Sequence, residues 1–564
     1  MSDFQNPDPP MTDRLVKDAR RAVRPILIVS AFINILILTS PFYMLQVYDR
    51  VLSSSQLATL ILVSLFTLVG LIGFGLFDAL RSRMLAQTGA MIARRYTPDV
   101  FRMSLGLAKT NSAQSTKLLR DLKQVQSFIG SSSVVPFFDG PFAPLFLALI
   151  FVLHWSIGVL TLLGGVILFA IAWASDHYAR QRAQIARSSG LESMTIAEGF
   201  TAGADYLESA GMVDLAVKRH TKIENQSQML LLSGQAITGP AASISKTIRL
   251  VFQSAALGLG AYLVIRPDIA FTPGGMIAGT ILMARALSPV EQSINTWRGF
   301  RAAKESFDAL KQLAEKQPSE RTEILMPPPI GKVSVAGIAY THRGAKDSLF
   351  HSVSFEIAPS NALAIVGASG AGKTTLCRLL TGVEKPVRGS IRIDGAELIN
   401  WNKSQLGSTV GYLPQSPVFF DGTIAENISR FGEPLSDADI IAASTSVGAH
   451  QLILQLPDGY STVIGPRGAR LSGGQAQMIG LARANFRKPK VLILDEPTAH
   501  LDIETRREFD AFLKASLSDG QTLIISTHDK AVVAACDLVL VMRQGAVSLR
   551  KNERARSIGV LGAV

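Results

Sequence analysis

Ala362-Leu-Ala-Ile-Val366 leads without a break into Gly367-Ala-Ser-Gly-Ala-Gly372-Lys373-Thr374. The first five residues are uniformly apolar, the pattern of a strand buried on both faces. The next eight match G-x-x-x-x-G-K-[ST]. Glycines at that spacing let backbone N–H groups wrap phosphate oxygens without side-chain clashes, and the start of the following helix adds partial positive charge. Lys373 is placed to contact the β- and γ-phosphates, and the Thr374 hydroxyl to bind Mg²⁺. A strand, a glycine loop and a helix in that order read as an α/β nucleotide-binding domain.

Downstream, Val491-Leu-Ile-Leu-Asp495-Glu496 is an apolar strand ending in two carboxylates, and Thr522–Ser526 is a third buried run. Phosphoryl transfer to water needs one carboxylate to support the cation and another to polarise the nucleophile, which assigns Asp495 to the metal and Glu496 to the water. Ahead of Val491, Leu471-Ser472-Gly473-Gly474-Gln475 opens a helix, and its small residues make a second anion-binding turn. Upstream, Pro327-Pro328-Pro329 cannot continue a helix and marks a linker, 326–331, ahead of a nucleotide-binding domain spanning 332–550 and a tail, 551–564.

The first part of the chain has a different character. Charged residues are 18% of the 564, against roughly 25% in soluble proteins. Pro25 to Tyr48, Val51 to Phe77 and Gly140 to Ser175 contain no Asp, Glu, Lys or Arg. A helix needs roughly 20 apolar residues to cross a bilayer. The third stretch, with the segment from Ser131, fits two spans joined by a turn near His154-Trp155-Ser156. Two weaker spans, about Ala241–Ile265 and Thr272–Asn295, are interrupted by Lys246, Arg249, Arg285 and Glu291. Six spans within 25–325 follow a 24-residue N-terminal segment. The long connections 78–130 and 176–240 look helical and amphipathic.

Lys and Arg crowd the N-terminal segment and those two connections, while only Arg50 and Arg266 fall on the other side. That asymmetry puts both termini in the cytoplasm. It also accounts for most of the formal charge of +12, so nucleic acid is not an expected partner. The first apolar run is too long for a cleaved signal peptide. Cys377 and Cys536 are too few for a disulfide framework.

Two phosphate-binding turns on one chain resemble the nucleotide-binding domain of ATP-binding-cassette (ABC) transporters. The resemblance implies that two copies sandwich two ATP molecules, each signature turn (Ser472, Gly473, Gly474, Gln475) capping the phosphate held by the other copy. It carries nucleotide contacts over to Gly367, Ser369, Gly370, Gly372, Lys373, Thr374 and Thr375. Gln415 in Tyr412-Leu-Pro-Gln415 resembles the Q-loop residue that reaches the metal, Asp502 the D-loop, His528 the switch histidine on the γ-phosphate, and Tyr340 the aromatic stacked on adenine. Ala476, Met478 and Gly465-Pro-Arg-Gly468 depart from the usual pattern, which puts coupling contacts in doubt rather than ATP binding. The implied fold is multidomain: an all-α six-helix transmembrane domain of ABC exporter type plus an α/β P-loop nucleotide-binding domain.

Ser40-Pro-Phe-Tyr-Met-Leu-Gln-Val-Tyr-Asp-Arg-Val-Leu-Ser53 resembles a segment of type I secretion ATPases, closest to bacterial protease and lipase exporters. Trp401, Tyr412–Ser416, Phe420–Ile428 and Leu456–Tyr460 support that branch. The resemblance implies a homodimer in the bacterial inner membrane among membrane lipids. A periplasmic adaptor, an outer-membrane channel and an unfolded cargo protein with a C-terminal signal are the implied partners. The 24 residues before the first span are too few for a leader-peptidase domain, so cleavage of a leader is not expected. A lipid or small-molecule exporter of the same fold, and a regulatory ABC protein that carries nothing, remain the alternatives.

Overall fold

The computed structural model describes residues 11–108, 112–266, 268–316, 325–342, 347–433, 436–466, 468–543 and 546–552. The start of the N-terminal segment, the tail beyond 552, and Arg467 lie outside the described residues. The chain divides into two compact units, Met1–Pro318 and Ser319–Val564.

Among its described residues the first unit holds helices and turns but no strand. Its long elements are α1 (Met11–Leu36), α2 (Thr39–Gln46), α3 (Leu57–Ala108), α4 (Ser112–Ile129), α5 (Val135–Asp139), α6 (Ala143–Leu153), α7 (Trp155–Ala202), α8 (Val213–Ile265) and α9 (Pro273–Lys316). Among the described residues, five stretches are long and apolar enough to cross a membrane: Met11–Ser54, Leu57–Ala108, Ser132–Leu153, Trp155–Tyr178 and Gly239–Ile265. The expected sixth, within α9, is helical but its apolar run is broken at Arg285.

Two expectations are refined. Residues 11–24 are not a separate segment but the first turns of α1, which continues through Pro25. Met11 and Leu15 bury against Ile92, Tyr96, Val100 and Leu122, and Asp18 accepts a hydrogen bond from Tyr96 Oη at 2.8 Å and pairs with Arg95 at 2.8 Å. The long connections are the spans themselves continued. α3 has 52 residues and is therefore roughly 80 Å long against a hydrocarbon core of about 30 Å. The tight turn forms where expected: His154 is extended, and its Nδ1 accepts the Ser156 N–H at 3.3 Å.

A charged knot joins three helices. Arg81, 5% exposed, donates to Asp139 Oδ1 and to Asp78 Oδ1, both at 2.7 Å. Asn34 Nδ2 donates to Asp139 Oδ1 at 3.0 Å. One cation thus holds α1, α3 and α5 through side chains that would be costly unpaired in an apolar surrounding.

The second unit is α/β. Its strands are β1 (Val333–Tyr340), β2 (Phe350–Ile357), β3 (Ala362–Gly367), β4 (Arg388–Ile393), β5 (Ala396–Glu397), β6 (Val410–Leu413), β7 (Gly422–Thr423), β8 (Val463–Ile464), β9 (Val491–Asp495), β10 (Thr522–Ser526), β11 (Leu538–Arg543) and β12 (Ala546–Lys551). A six-stranded sheet runs β12-β11-β3-β10-β9-β6, parallel except for the β11–β12 edge pair. An antiparallel sheet, β2-β1-β4-β5, and the short pair β7-β8 complete the unit. The three apolar runs singled out in the sequence are neighbours in the order β3-β10-β9, and every residue of β9 and β10 is buried. The loops leaving the C-terminal ends of these parallel strands build the site, as in other open α/β sheets.

Candidate nucleotide site

β3 ends at Gly367, and α10 (Lys373–Leu380) begins after a five-residue loop. Gly372 caps α10 at φ 94°, and a Cβ there would lie 2.7 Å from the Phe350 ring, so only glycine closes the loop. Lys373 is 7% exposed and folds back over the loop, its Nζ donating to the Gly367 carbonyl at 3.1 Å.

Lys373 Nζ also lies 2.9 Å from His528 Nε2 and 3.7 Å from Glu496 Oε1, and His528 Nε2 is 3.4 Å from Glu496 Oε1. Gln415 Nε2 donates to Glu496 Oε2 at 3.3 Å. Four residues from four separate segments, spread over 155 positions between Lys373 and His528, thus converge on one spot.

Asp495 sits at the end of β9 and is fully buried. Its Oδ1 accepts the Ser526 hydroxyl at 2.6 Å, while Oδ2 has no hydrogen-bond partner among the described residues. A buried carboxylate oxygen left unmatched is costly and calls for a cation. With the Thr374 hydroxyl and the Gln415 carbonyl it offers the all-oxygen donor set that suits Mg²⁺, so the residues present fit that ion. Glu496 follows at φ 47°, its N–H donating to the Ser526 carbonyl at 2.9 Å. That turn swings adjacent carboxylates apart, one inward and one toward Lys373.

Beneath the loop, burial pushes the Cys377 thiol well above its ordinary value, and the charge of Asp495 adds to it. The thiol is therefore an inert packing group. Burial raises the Tyr412 phenol as well.

Ser472 caps α11 (Gly473–Ala484) in a closed capping box. Its Oγ accepts the Gln475 N–H at 3.2 Å, and Gln475 Oε1 accepts the Ser472 N–H at 3.0 Å. His500 packs beside Gly473. Among the described residues no hydrogen bond joins this turn to the Lys373 cluster. Asp502 caps α12 (Ile503–Ser518), accepting the Thr505 N–H at 2.9 Å, and the Thr505 hydroxyl holds its carboxyl below the usual range.

Tyr340 falls elsewhere. It is 8% exposed, packs in the core between the two larger sheets, and its hydroxyl donates to Glu384 at 3.3 Å. The exposed ring is His342, just past the end of β1, which meets Tyr340 edge-on at 5.2 Å.

Two contributors escaped the sequence reading. Ser526 orients Asp495, a role signalled only by its place at the end of β10 in register with Asp495. Arg506, on α12, is hydrogen-bonded to Asp529, next to His528 in sequence, and to Asp510 at 3.1 Å. It ties the Asp502 helix to the His528 loop, and nothing local in the sequence announces it.

A helical unit with membrane-length apolar helices, followed by a P-loop sheet carrying a separate Ser-Gly-Gly turn, defines an ATPase of the ABC transporter class. Residues 350–499 match the ABC transporter family model. The fold is similar to a bacterial Atm1-family ABC exporter solved with ATP bound, at a TM-score of 0.82 and 21% identity, covering 96% of this chain and 97% of that one. The type I secretion system ATP-binding protein PrsD of Rhizobium meliloti (strain 1021) is 34% identical over 94% of this chain and 91% of the relative. The cyclolysin secretion/processing ATP-binding protein CyaB of Bordetella pertussis is 26% identical over 94% of this chain and 75% of the relative. The leukotoxin translocation ATP-binding protein LktB of Bibersteinia trehalosi is 27% identical with the same two coverages. The chain belongs to the type I secretion ATP-binding proteins, and its ATP hydrolysis is coupled to transport.

Proposed function

We propose that this chain is the inner-membrane ATPase of a type I secretion system that exports unfolded protein, working as a homodimer. The observation that carries the catalytic part is the convergence of Lys373, Glu496, His528 and Gln415 beside the half-unpaired Asp495. Lys373 and the backbone amides of 367–375, Ser369, Gly370 and Thr375 among them, hold the β- and γ-phosphates. Glu496 takes a proton from water as its oxygen bonds to the γ-phosphorus and the bond to the bridging oxygen breaks, giving ADP and phosphate. His528 hydrogen-bonds the transferring group. When bound, Mg²⁺ neutralises charge on the β- and γ-oxygens; Thr374, Asp495 and Gln415 would hold it. Ser472, Gly473, Gly474, Gln475 and Asp502 serve the other copy's nucleotide, which one chain alone leaves half enclosed.

Adenine stacking fits His342 better than Tyr340, because the Tyr340 ring is already covered while His342 is exposed. The secretion relatives support an adaptor and an outer-membrane channel as partners, cargo with a C-terminal signal, and cytoplasmic termini in line with the Lys/Arg distribution. The test is the extracellular proteome of the host, wild type against Glu496→Gln. Loss of a few proteins sharing a C-terminal segment is expected. An unchanged proteome under expressing conditions would transfer the assignment to lipid or small-molecule export.

A further inference from the structure

Ser40–Ser53 carries the most specific sequence resemblance in the membrane unit, and the nucleotide chemistry makes no use of it. Its backbone widens into a π turn at Val47–Val51, a geometry that concentrates at functional positions. The turn presents Asp49. Its Oδ2 accepts a hydrogen bond from the Thr272 hydroxyl at 2.7 Å, and its Oδ1 accepts the Gly274 N–H at 2.8 Å. Thr272 Oγ1 in turn accepts the Gly275 N–H at 3.0 Å.

These amides open α9, where the leading N–H groups have no helical acceptor and the dipole favours an anion. A Cβ on Gly274 would stand 2.5 Å from Asp49 Oδ1, so the glycine is what admits the carboxylate. The partners are 225 residues apart in sequence, and α9 also packs along α2. From this anchored start α9 runs to Lys316, while the first compact unit ends at Pro318. The helix that leads in sequence to the ATPase unit is therefore pinned at its other end by the Ser40–Ser53 stretch.

We infer that Asp49 is a positioning residue for export: by holding the first turn of α9 it makes α2 and the start of α9 move as one body. This rests on the export reading above. The experiment uses the full-length protein in lipid nanodiscs and in its host, with three readouts. One is secretion of the proteins that the Glu496→Gln strain fails to release. The second is ATP hydrolysis. The third is the distance distribution between spin labels on Gln56→Cys and Asp268→Cys within one protomer, diluted with unlabelled chain.

Asp49→Ala is expected to broaden the distance distribution and to cut secretion by about tenfold or more, with ATP hydrolysis within about twofold of wild type. Asp49→Asn is expected to fall between, since its amide oxygen still accepts the Gly274 N–H while its NH₂ can only donate to Thr272. Gly274→Ala should resemble Asp49→Ala, because the added methyl displaces the carboxylate. Secretion and distance distribution both unchanged in Asp49→Ala would overturn the inference. A parallel fall of secretion and hydrolysis would also overturn it, leaving Asp49 a cap that only supports the fold. Should the Glu496→Gln strain lack no extracellular protein, the export reading itself fails and the label distances alone decide: an unchanged width in Asp49→Ala overturns the coupling.

Discussion

The two units place their apolar residues in opposite ways. In the nucleotide unit β9 and β10 are buried at every position, so the hydrophobic residues of these two strands face inward. In the membrane unit the most apolar stretch of α3 is 0% buried within the chain, and residues such as Leu62, Phe66 and Leu76 are more than half exposed. The same side chains thus serve two solvents. Where water surrounds the fold, apolar burial supplies the main driving force. Where lipid surrounds it, that driving force between helices is absent, and packing and polar contacts specify which helices meet. In line with this, the Arg81 knot and the Asp49 clasp join helices in the first unit, whereas in the second Lys373, Glu496, His528 and Gln415 meet at the phosphate loop.

Catalysis and folding should accordingly be separable in one unit and inseparable in the other. Glu496→Gln is expected to lower ATP hydrolysis about 10²–10⁴-fold, the range for loss of a general base, with nucleotide affinity and melting temperature nearly unchanged. Normal turnover would remove Glu496 from its role. Arg81→Met is expected to destabilise the membrane unit by about 3 kcal/mol, because Asp139 is left charged and half-buried. Thermal unfolding in detergent would read this loss, and nucleotide binding should survive it. Restoration by the pair Arg81→Met with Asp139→Leu would sharpen the point, and no loss in the single variant would break the contrast.

A smaller effect belongs to the capping box on Ile424–Ile428, where Thr423 Oγ1 accepts the Glu426 N–H and Glu426 Oε2 accepts the Thr423 N–H. Thr423→Ala should cost about 1 kcal/mol in the nucleotide unit, measurable as a lowered melting temperature without altered hydrolysis. Smallest is the pH response. The Arg506 guanidinium holds the Asp529 carboxyl below its ordinary value. Its contribution is then fully present above the unfolded value of about 3.9 and is lost as pH falls toward the folded one. Melting curves should be insensitive to this pair from pH 8 to 5 and decline below about 4, and Arg506→Met should flatten that decline.

What the sequence made legible follows the same division. The phosphate loop, the Asp495–Glu496 pair and the Ser472 turn are each contiguous, and local backbone chemistry dictates them. The first four spans were legible because long uncharged runs have one stable answer in a bilayer. The Arg81–Asp139 and Asp49–Gly274 contacts were not, since each joins residues that only helix packing brings together. The rings at the end of β1 illustrate a subtler limit. Tyr340 and His342 lie two residues apart, and spacing alone does not say which ring faces the core. β1 ends at Tyr340 after a register shift against β2, so Tyr340 stays within the sheet and His342 leaves it.

Glu496 occupies a left-handed backbone conformation at φ 47° that glycine or asparagine would adopt with less strain. Holding a bulkier side chain there costs of order 1–3 kcal/mol. Natural selection for stability alone would favour drift at this position toward the smaller residue. A carboxylate at 496 therefore works as a record of use: a lineage that stopped consuming ATP would be expected to lose this residue early, while the surrounding sheet stayed intact.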